Sequence, residues 1–170
     1  MRTLLLAALF AAACGRSRDA GSGGRLALQW TGSARGEFEA ALETRWCAAD
    51  SLLEITAFSG DTVLGLMLVA QDSLRIGAYP VYPAKNFLAI RPYASAALRW
   101  VDEFAIKGFE ATSGQVTVTE GGSGRVAGTL SVKLKALVGP DTLTLTGGFA
   151  AASLTPASNP CGRANRPGAP

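Results

Sequence analysis

Strict alternation of apolar and polar residues, interrupted by short turns, constrains the fold of this chain most strongly. Over residues 115–120 valines alternate with threonines, the period-two pattern of a half-buried strand. A glycine-rich turn follows at 121–124, and the alternation resumes over 125–137 and, after Gly139-Pro140-Asp141, over 142–146. Three strands joined by short turns predict an antiparallel three-stranded meander with one face towards solvent.

The rest of the body carries weaker patterns of the same kind. Stretches 25–31, 52–58, 63–71 and 73–82 predict further strands, with a hairpin turn at 59–61 and Pro80 at an edge or a strand end. Residues 37–46 and 93–104 fit either a strand or a helix, and we interpret both as strands because neither has a clear helix cap. The sequence predicts a single all-β domain of about eight to ten strands, either a β-sandwich or a closed antiparallel barrel.

Composition argues against most kinds of catalysis. The 170 residues contain no histidine, which excludes Ser-His-Asp and Cys-His arrangements and histidine-ligated zinc. The adjacent carboxylates Asp102 and Glu103 point to opposite faces of a strand, and no calcium-binding loop is present. The net charge of +3 is not concentrated in a basic block, so no nucleic-acid partner is predicted. We expect a protein that is not an enzyme and has no metal or cofactor.

The first fourteen residues have the pattern of an export signal. Arg2 precedes an apolar run of ten residues from Leu4 to Ala13, and Cys14 follows small residues. This segment resembles the lipobox of bacterial lipoproteins. The resemblance implies cleavage before Cys14, a diacylglyceryl thioether and a palmitate-type acyl chain on that residue, and a place in the cell envelope. Gly15 instead of aspartate favours the outer membrane. The alternative is a plain signal peptide that is cleaved after Ala13.

A lipidated Cys14 leaves two cysteines in an oxidising compartment, Cys47 and Cys161, and predicts a disulfide between them. The chain then divides into a signal peptide (1–13), a lipidated cysteine with a flexible tether (14–24), a β-domain (25–161) and a disordered tail (162–170). Short strand-and-turn patterns at 74–79, 113–118, 126–129 and 143–149 are similar to those of bacterial lipoproteins with a small β-domain. That similarity implies a fold type and an envelope location, and no catalytic residue.

Aromatic residues are the candidate ligand contacts. Tyr79, Tyr82 and Trp100 can present rings to a ligand, although core packing is the more ordinary role of such residues. The predicted function is a membrane-anchored envelope lipoprotein with a non-enzymatic binding or structural β-domain. Its partners are the membrane, through Cys14, and an envelope protein, a glycan or a small apolar ligand. The alternative is a lipocalin-like carrier or sensor that holds a small apolar ligand inside a barrel.

Overall fold

The computed structural model describes residues 24–157 except 85, 87, 104 and 123. Nine strands form in this part of the chain, and a three-residue 3-10 turn, Ala48–Asp50, joins the second strand to the third. The strands are β1 (Arg25–Gly32), β2 (Gly36–Cys47), β3 (Leu52–Ser59), β4 (Thr62–Val69), β5 (Gly77–Pro80), β6 (Tyr93–Asp102), β7 (Ala105–Gly122), β8 (Arg125–Ala136) and β9 (Thr142–Ser153).

Eight of these strands close into an antiparallel barrel. Around the ring the order is β1, β2, β3, β4, β6, β7, β8 and β9, so each strand pairs with the next ring strand along the chain. The ring closes where β9 pairs with β1, from Leu143 opposite Gly32 to Ala150 opposite Arg25. Closure gives every ring strand two neighbours, each over at least part of its length, and so removes the two long open edges of a flat sheet. β5 lies outside the ring and pairs with the C-terminal half of β7.

The alternation in the sequence turns one apolar face of each strand into the barrel. In β1 the inward residues are Leu26, Leu28 and Trp30, and in β4 they are Leu64, Leu66 and Leu68. These side chains join inward residues of the other ring strands in one buried apolar cluster. Burial of apolar area at about 25 cal/mol per Å2 makes this interior the main source of stability.

Bulges in the long strands change which residues face inward. In β7 the buried residues are Phe109 and Ala111 before a register shift next to Ser113, and Val116 and Val118 after it. The extra residue changes the parity of the inward positions from odd to even, because side chains alternate strictly between faces in a regular strand. β7 pairs with β6 over residues 105–110 and with β8 over residues 109–122, so the shift lies within the pairing with β8.

The two ends of the barrel differ. The upper end carries the turns of the β1–β2, β3–β4, β6–β7 and β8–β9 hairpins. The lower end carries the Ala48–Asp50 turn, the β7–β8 hairpin and both ends of the described chain, Gly24 and Ala157. The segment after β4 crosses the lower end, where the amide of Ala70 donates to the carbonyl of Ser51 (2.8 Å).

The sequence-based fold expectations are confirmed: the described chain is all-β and ends in a three-stranded meander, β7–β8–β9. Between the two architectures left open, the structure is the closed barrel. The ambiguous stretch 37–46 lies within β2, and 93–104 contains β6 and part of the turn after it. The strand expected over 73–82 is shorter, only Gly77–Pro80. One further hydrogen bond to β7 follows the proline, from the amide of Val81 to the carbonyl of Gly114 (2.9 Å).

Candidate functional site

A stack of three aromatic rings fills the upper part of the barrel interior. Trp30 on β1 and Trp100 on β6 come from opposite sides of the ring, yet their ring centroids lie 5.6 Å apart with planes inclined by 24°. Trp100 also stacks on Phe109 of β7, with centroids 5.0 Å apart. Because Trp30 and Phe109 are buried and Trp100 is only partly exposed, the stack closes this end of the interior.

Trp30 has one unusual feature within this stack. Its Nε1–H is buried and has no hydrogen-bond acceptor among the described residues. A buried donor without an acceptor costs about 1–3 kcal/mol. The indole edge packs against Gly36 on the paired strand, where Cε2 of Trp30 would lie 2.6 Å from an added Cβ. The glycine therefore makes room for the indole.

The segment between β4 and β5 closes the lower end. Ser51 Oγ donates to the carbonyl of Asp72 (2.9 Å), and Leu74 is buried at the end of this crossing. The hydroxyl of Tyr79 accepts from the amide of Arg75 and donates to its carbonyl, both at 3.1 Å. With both ends closed and the inward side chains packed together, the clefts found around the described residues are open to the surface rather than enclosed within the barrel.

One of these open clefts, of about 670 Å3, lies on the outside of the barrel near the upper end. It crosses β9, β1 and β2 and reaches the turn of the β3–β4 hairpin. Its walls are Ala27, Leu28, Gln29, Glu37, Phe38, Glu39, Ser59, Thr62, Thr146 and Gly147. Amide, hydroxyl and carboxylate groups dominate, so the cleft suits a polar or cationic partner better than an apolar one.

The charges around this cleft are mainly negative. Glu37 and Glu39 are two residues apart on β2, so their exposed side chains project from the same outer face. Arg25 on β1 forms an ion pair with Glu39 at 3.7 Å, and both side chains are well exposed to solvent. An exposed pair of this kind contributes little to stability. The two carboxylates remain available to an incoming cation.

The three aromatic residues predicted as ligand contacts do not come together. Tyr79 is only 2% exposed, so its ring belongs to the core. Tyr82 stands edge-to-face against Tyr93, with centroids 6.3 Å apart, near the lower end of β6. Trp100 lies in the aromatic stack towards the upper end of the same strand. No single surface in the described chain presents all three rings.

The predicted lipidation and disulfide sites are only partly described. Cys14 and Cys161 lie outside the described residues, as do the proposed signal peptide, most of the tether and the tail. Cys47 is 4% exposed and packs with Leu52 and Val69 at the lower end. The chain beyond β9 runs beside it, because the amide of Ala157 donates to the carbonyl of Trp46 (2.8 Å). Three residues separate Ala157 from Cys161, and these four Cα–Cα steps span at most about 14 Å when extended.

Glu37 and Glu39 are the residues that sequence reasoning missed. Their two-residue spacing within a predicted strand places them on one face, but nothing local shows which neighbouring strands they lie beside.

Among the described residues, no group of three or more metal-ligating side chains converges on one point. No described helix is long and apolar enough to cross a membrane. The chain has no significant match to a protein-family model, a curated protein or a solved structure.

Proposed function

We propose that this chain is a membrane-anchored envelope lipoprotein whose β-barrel is a non-enzymatic binding domain. One structural observation supports it best: the lower end of the barrel is suited to attachment to a membrane, and the upper end is suited to contact with a partner. Gly24 lies towards the lower end, where its carbonyl accepts from Leu42, so the lipidation site at Cys14 is at most ten residues away. Ten extended residues span about 33 Å, enough to hold the barrel clear of a lipid surface.

The upper end then points away from the membrane. It exposes apolar side chains that do not contribute to the core, including Val101 opposite Ile106 and the β8–β9 turn residues Leu137 and Val138. The polar cleft beside Glu37 and Glu39 opens near this end as well. Apolar and polar groups available on the far side from the anchor are consistent with binding to another envelope component.

Replacement of the anchoring cysteine tests the proposal. We expect Cys14→Ser, expressed as the full chain in a bacterial host, to move from the membrane fraction to the soluble periplasmic fraction and to lose incorporation of labelled palmitate. The reason is that acyl chains contribute about 0.8 kcal/mol per buried CH2 group. Cys47→Ser is the matched control and should keep both the label and the membrane location. Retention of Cys14→Ser in the membrane fraction would contradict anchoring through this residue.

The alternative of a lipocalin-like carrier is favoured by the ring topology alone. An eight-stranded up-and-down barrel is an architecture that also holds small ligands. A carrier needs an interior cavity, typically of several hundred Å3. Here Trp30, Trp100 and Phe109 occupy the upper interior, and leucines and valines fill the rest. Native mass spectrometry of the purified full chain should show no tightly retained apolar molecule besides the covalent lipid; a stoichiometric one would favour the carrier.

A further inference from the structure

The N-terminal half of β2 extends beyond its pairing with β3. It pairs with β3 only from Leu42, opposite Ala57, to Cys47, opposite Leu52. The preceding residues 36–41 pair with β1 on one side. On the other side the β3–β4 hairpin has already turned, because Ser59 and Thr62 are its last pair. The barrel wall therefore has a notch at its upper end, above this short hairpin.

The backbone groups that face the notch can be assigned from one hydrogen bond. The amide of Leu42 donates to the carbonyl of Gly24, on the β1 side of β2. The N–H and C=O of one strand residue point to the same side, and successive residues alternate. Those of Glu37, Glu39 and Ala41 therefore point to the β3 side. The pair of Leu42 with Ala57 places the carbonyl of Ala41 against the amide of Phe58, whereas the backbone groups of Glu37 and Glu39 and the amide of Ala41 have no backbone partner there among the described residues. These three residues form the free edge of β2.

Space and charge are available along this edge. The cleft of about 670 Å3 lies between Glu37, Phe38 and Glu39 on one wall and Ser59 and Thr62 on another. The edge from residue 37 to 41 is about 13 Å long at the usual rise of a strand, which matches a segment of four to five extended residues. The side chains of Glu37 and Glu39 add two negative charges beside the free amides and carbonyls, and Arg25 neutralises Glu39 only in part.

We propose that the free edge of β2 binds an extended, basic segment of a partner protein, which adds a short strand to the barrel. The backbone of the segment would pair with Glu37, Glu39 and Ala41, and its alternate lysine or arginine side chains would meet the two carboxylates. Strand addition obtains affinity from main-chain hydrogen bonds and selectivity from alternate side chains. The inference rests on the proposed binding role and is independent of the lipid anchor, so Cys14→Ser should leave it intact.

A synthetic peptide tests the inference directly. The probe is a fluorescent, end-blocked heptapeptide of alternating lysine and valine, added to the purified full chain in detergent and measured by anisotropy in about 150 mM salt, where exposed charges are screened beyond about 8 Å. A heptapeptide of alternating glutamate and valine is the charge control. The same lysine peptide with N-methyl groups on alternate residues, prepared as both possible registers, is the hydrogen-bond control.

We expect the lysine peptide to bind saturably and the glutamate peptide not to bind. One N-methylated register should bind at least about tenfold more weakly, because it can no longer donate hydrogen bonds to the edge carbonyls. Glu39→Pro should also weaken binding of the lysine peptide, because proline lacks the N–H that this edge position offers. The variant should still fold, because exposed strand edges tolerate proline. Glu120→Ala, which removes an exposed glutamate of β7, should have no effect.

Amide hydrogen exchange of the unsubstituted chain makes the inference testable even if Glu39→Pro does not fold. The peptide should slow exchange at Glu37, Glu39 and Ala41, whereas Phe38 and Ala40, which already face β1, should change little. Three results would overturn the inference: no saturable binding, equal binding by both N-methylated peptides and the parent, or protection confined to another surface. If the parent peptide and both N-methylated peptides bound equally, and all three lost binding at high salt, the interaction would be charge attraction without strand addition.

Discussion

At the scale of single residues, Gly36 and Gly65 show how much the barrel interior depends on missing side chains. Both are strand glycines outside the left-handed region of backbone conformation. A Cβ on Gly36 would overlap the indole of Trp30, whereas a Cβ on Gly65 would meet nothing within 4 Å. The first glycine is therefore required by packing inside the barrel, and the second is not.

We expect Gly36→Ala to lower the free energy of unfolding by about 1–3 kcal/mol, because the indole must move out of a packed layer. Gly65→Ala is the matched control and should be neutral or stabilising by about 0.5–1 kcal/mol, since alanine loses less backbone entropy on folding. Urea denaturation followed by tryptophan fluorescence measures both. Equal destabilisation by the two substitutions would show that the Trp30 contact does not control the effect.

Tyr79 gives a second prediction at this scale. The ring is buried, and its hydroxyl accepts from the amide of Arg75 and donates to the carbonyl of the same residue. Tyr79→Phe leaves both backbone groups without this partner and should destabilise the barrel by about 1–2 kcal/mol in urea denaturation. Tyr82→Phe, at a hydroxyl for which the described chain shows no hydrogen bond, is the control and should change stability by less than about 0.5 kcal/mol. A similar loss in both variants would contradict the role of the Arg75 contact.

At the scale of elements, the regular strands could be predicted from the sequence and the irregular ones could not. β8 keeps one inward parity from Val126 to Leu134, and its alternation is visible in the sequence. β7 changes parity at its first bulge, so no single alternation covers its 18 residues, and the sequence predicts a strand only over 115–120. A bulge depends on pairing with a distant strand, which local patterns do not record.

The candidate site illustrates the same limit. The position of Glu37 and Glu39 on one outer face follows from the two-residue period of a strand. Their position at a free edge follows from the difference in length between β2 and the β3–β4 hairpin, and from where the two begin to pair. Likewise, Trp30 and Trp100 meet only because the sheet closes and brings β1 opposite β6. These are consequences of closure and register, and neither is a property of a sequence window.

At the scale of the whole molecule, the lower end gathers features that are far apart in the chain. Cys47 lies beside the segment that follows β9, and the isolated bridge between Trp46 and Pro156 holds that segment in place. This position supports the predicted disulfide between Cys47 and Cys161, because only three residues separate Ala157 from Cys161. The bond would close a loop of more than a hundred residues, for which chain entropy gives up to about 4.7 kcal/mol.

Thiol labelling of the lipidated full chain tests the pairing. With Cys14 blocked by its thioether, we expect a maleimide to label no thiol in denaturant without reductant and two thiols after reduction. Cys161→Ser should expose one thiol, at Cys47, before reduction. It should also lower the midpoint of urea unfolding to the same extent as Cys47→Ser and the double substitution, because the loss of either partner opens the same loop. Two labelled thiols in the unreduced chain, or additive effects of the two single substitutions, would contradict a bond between them.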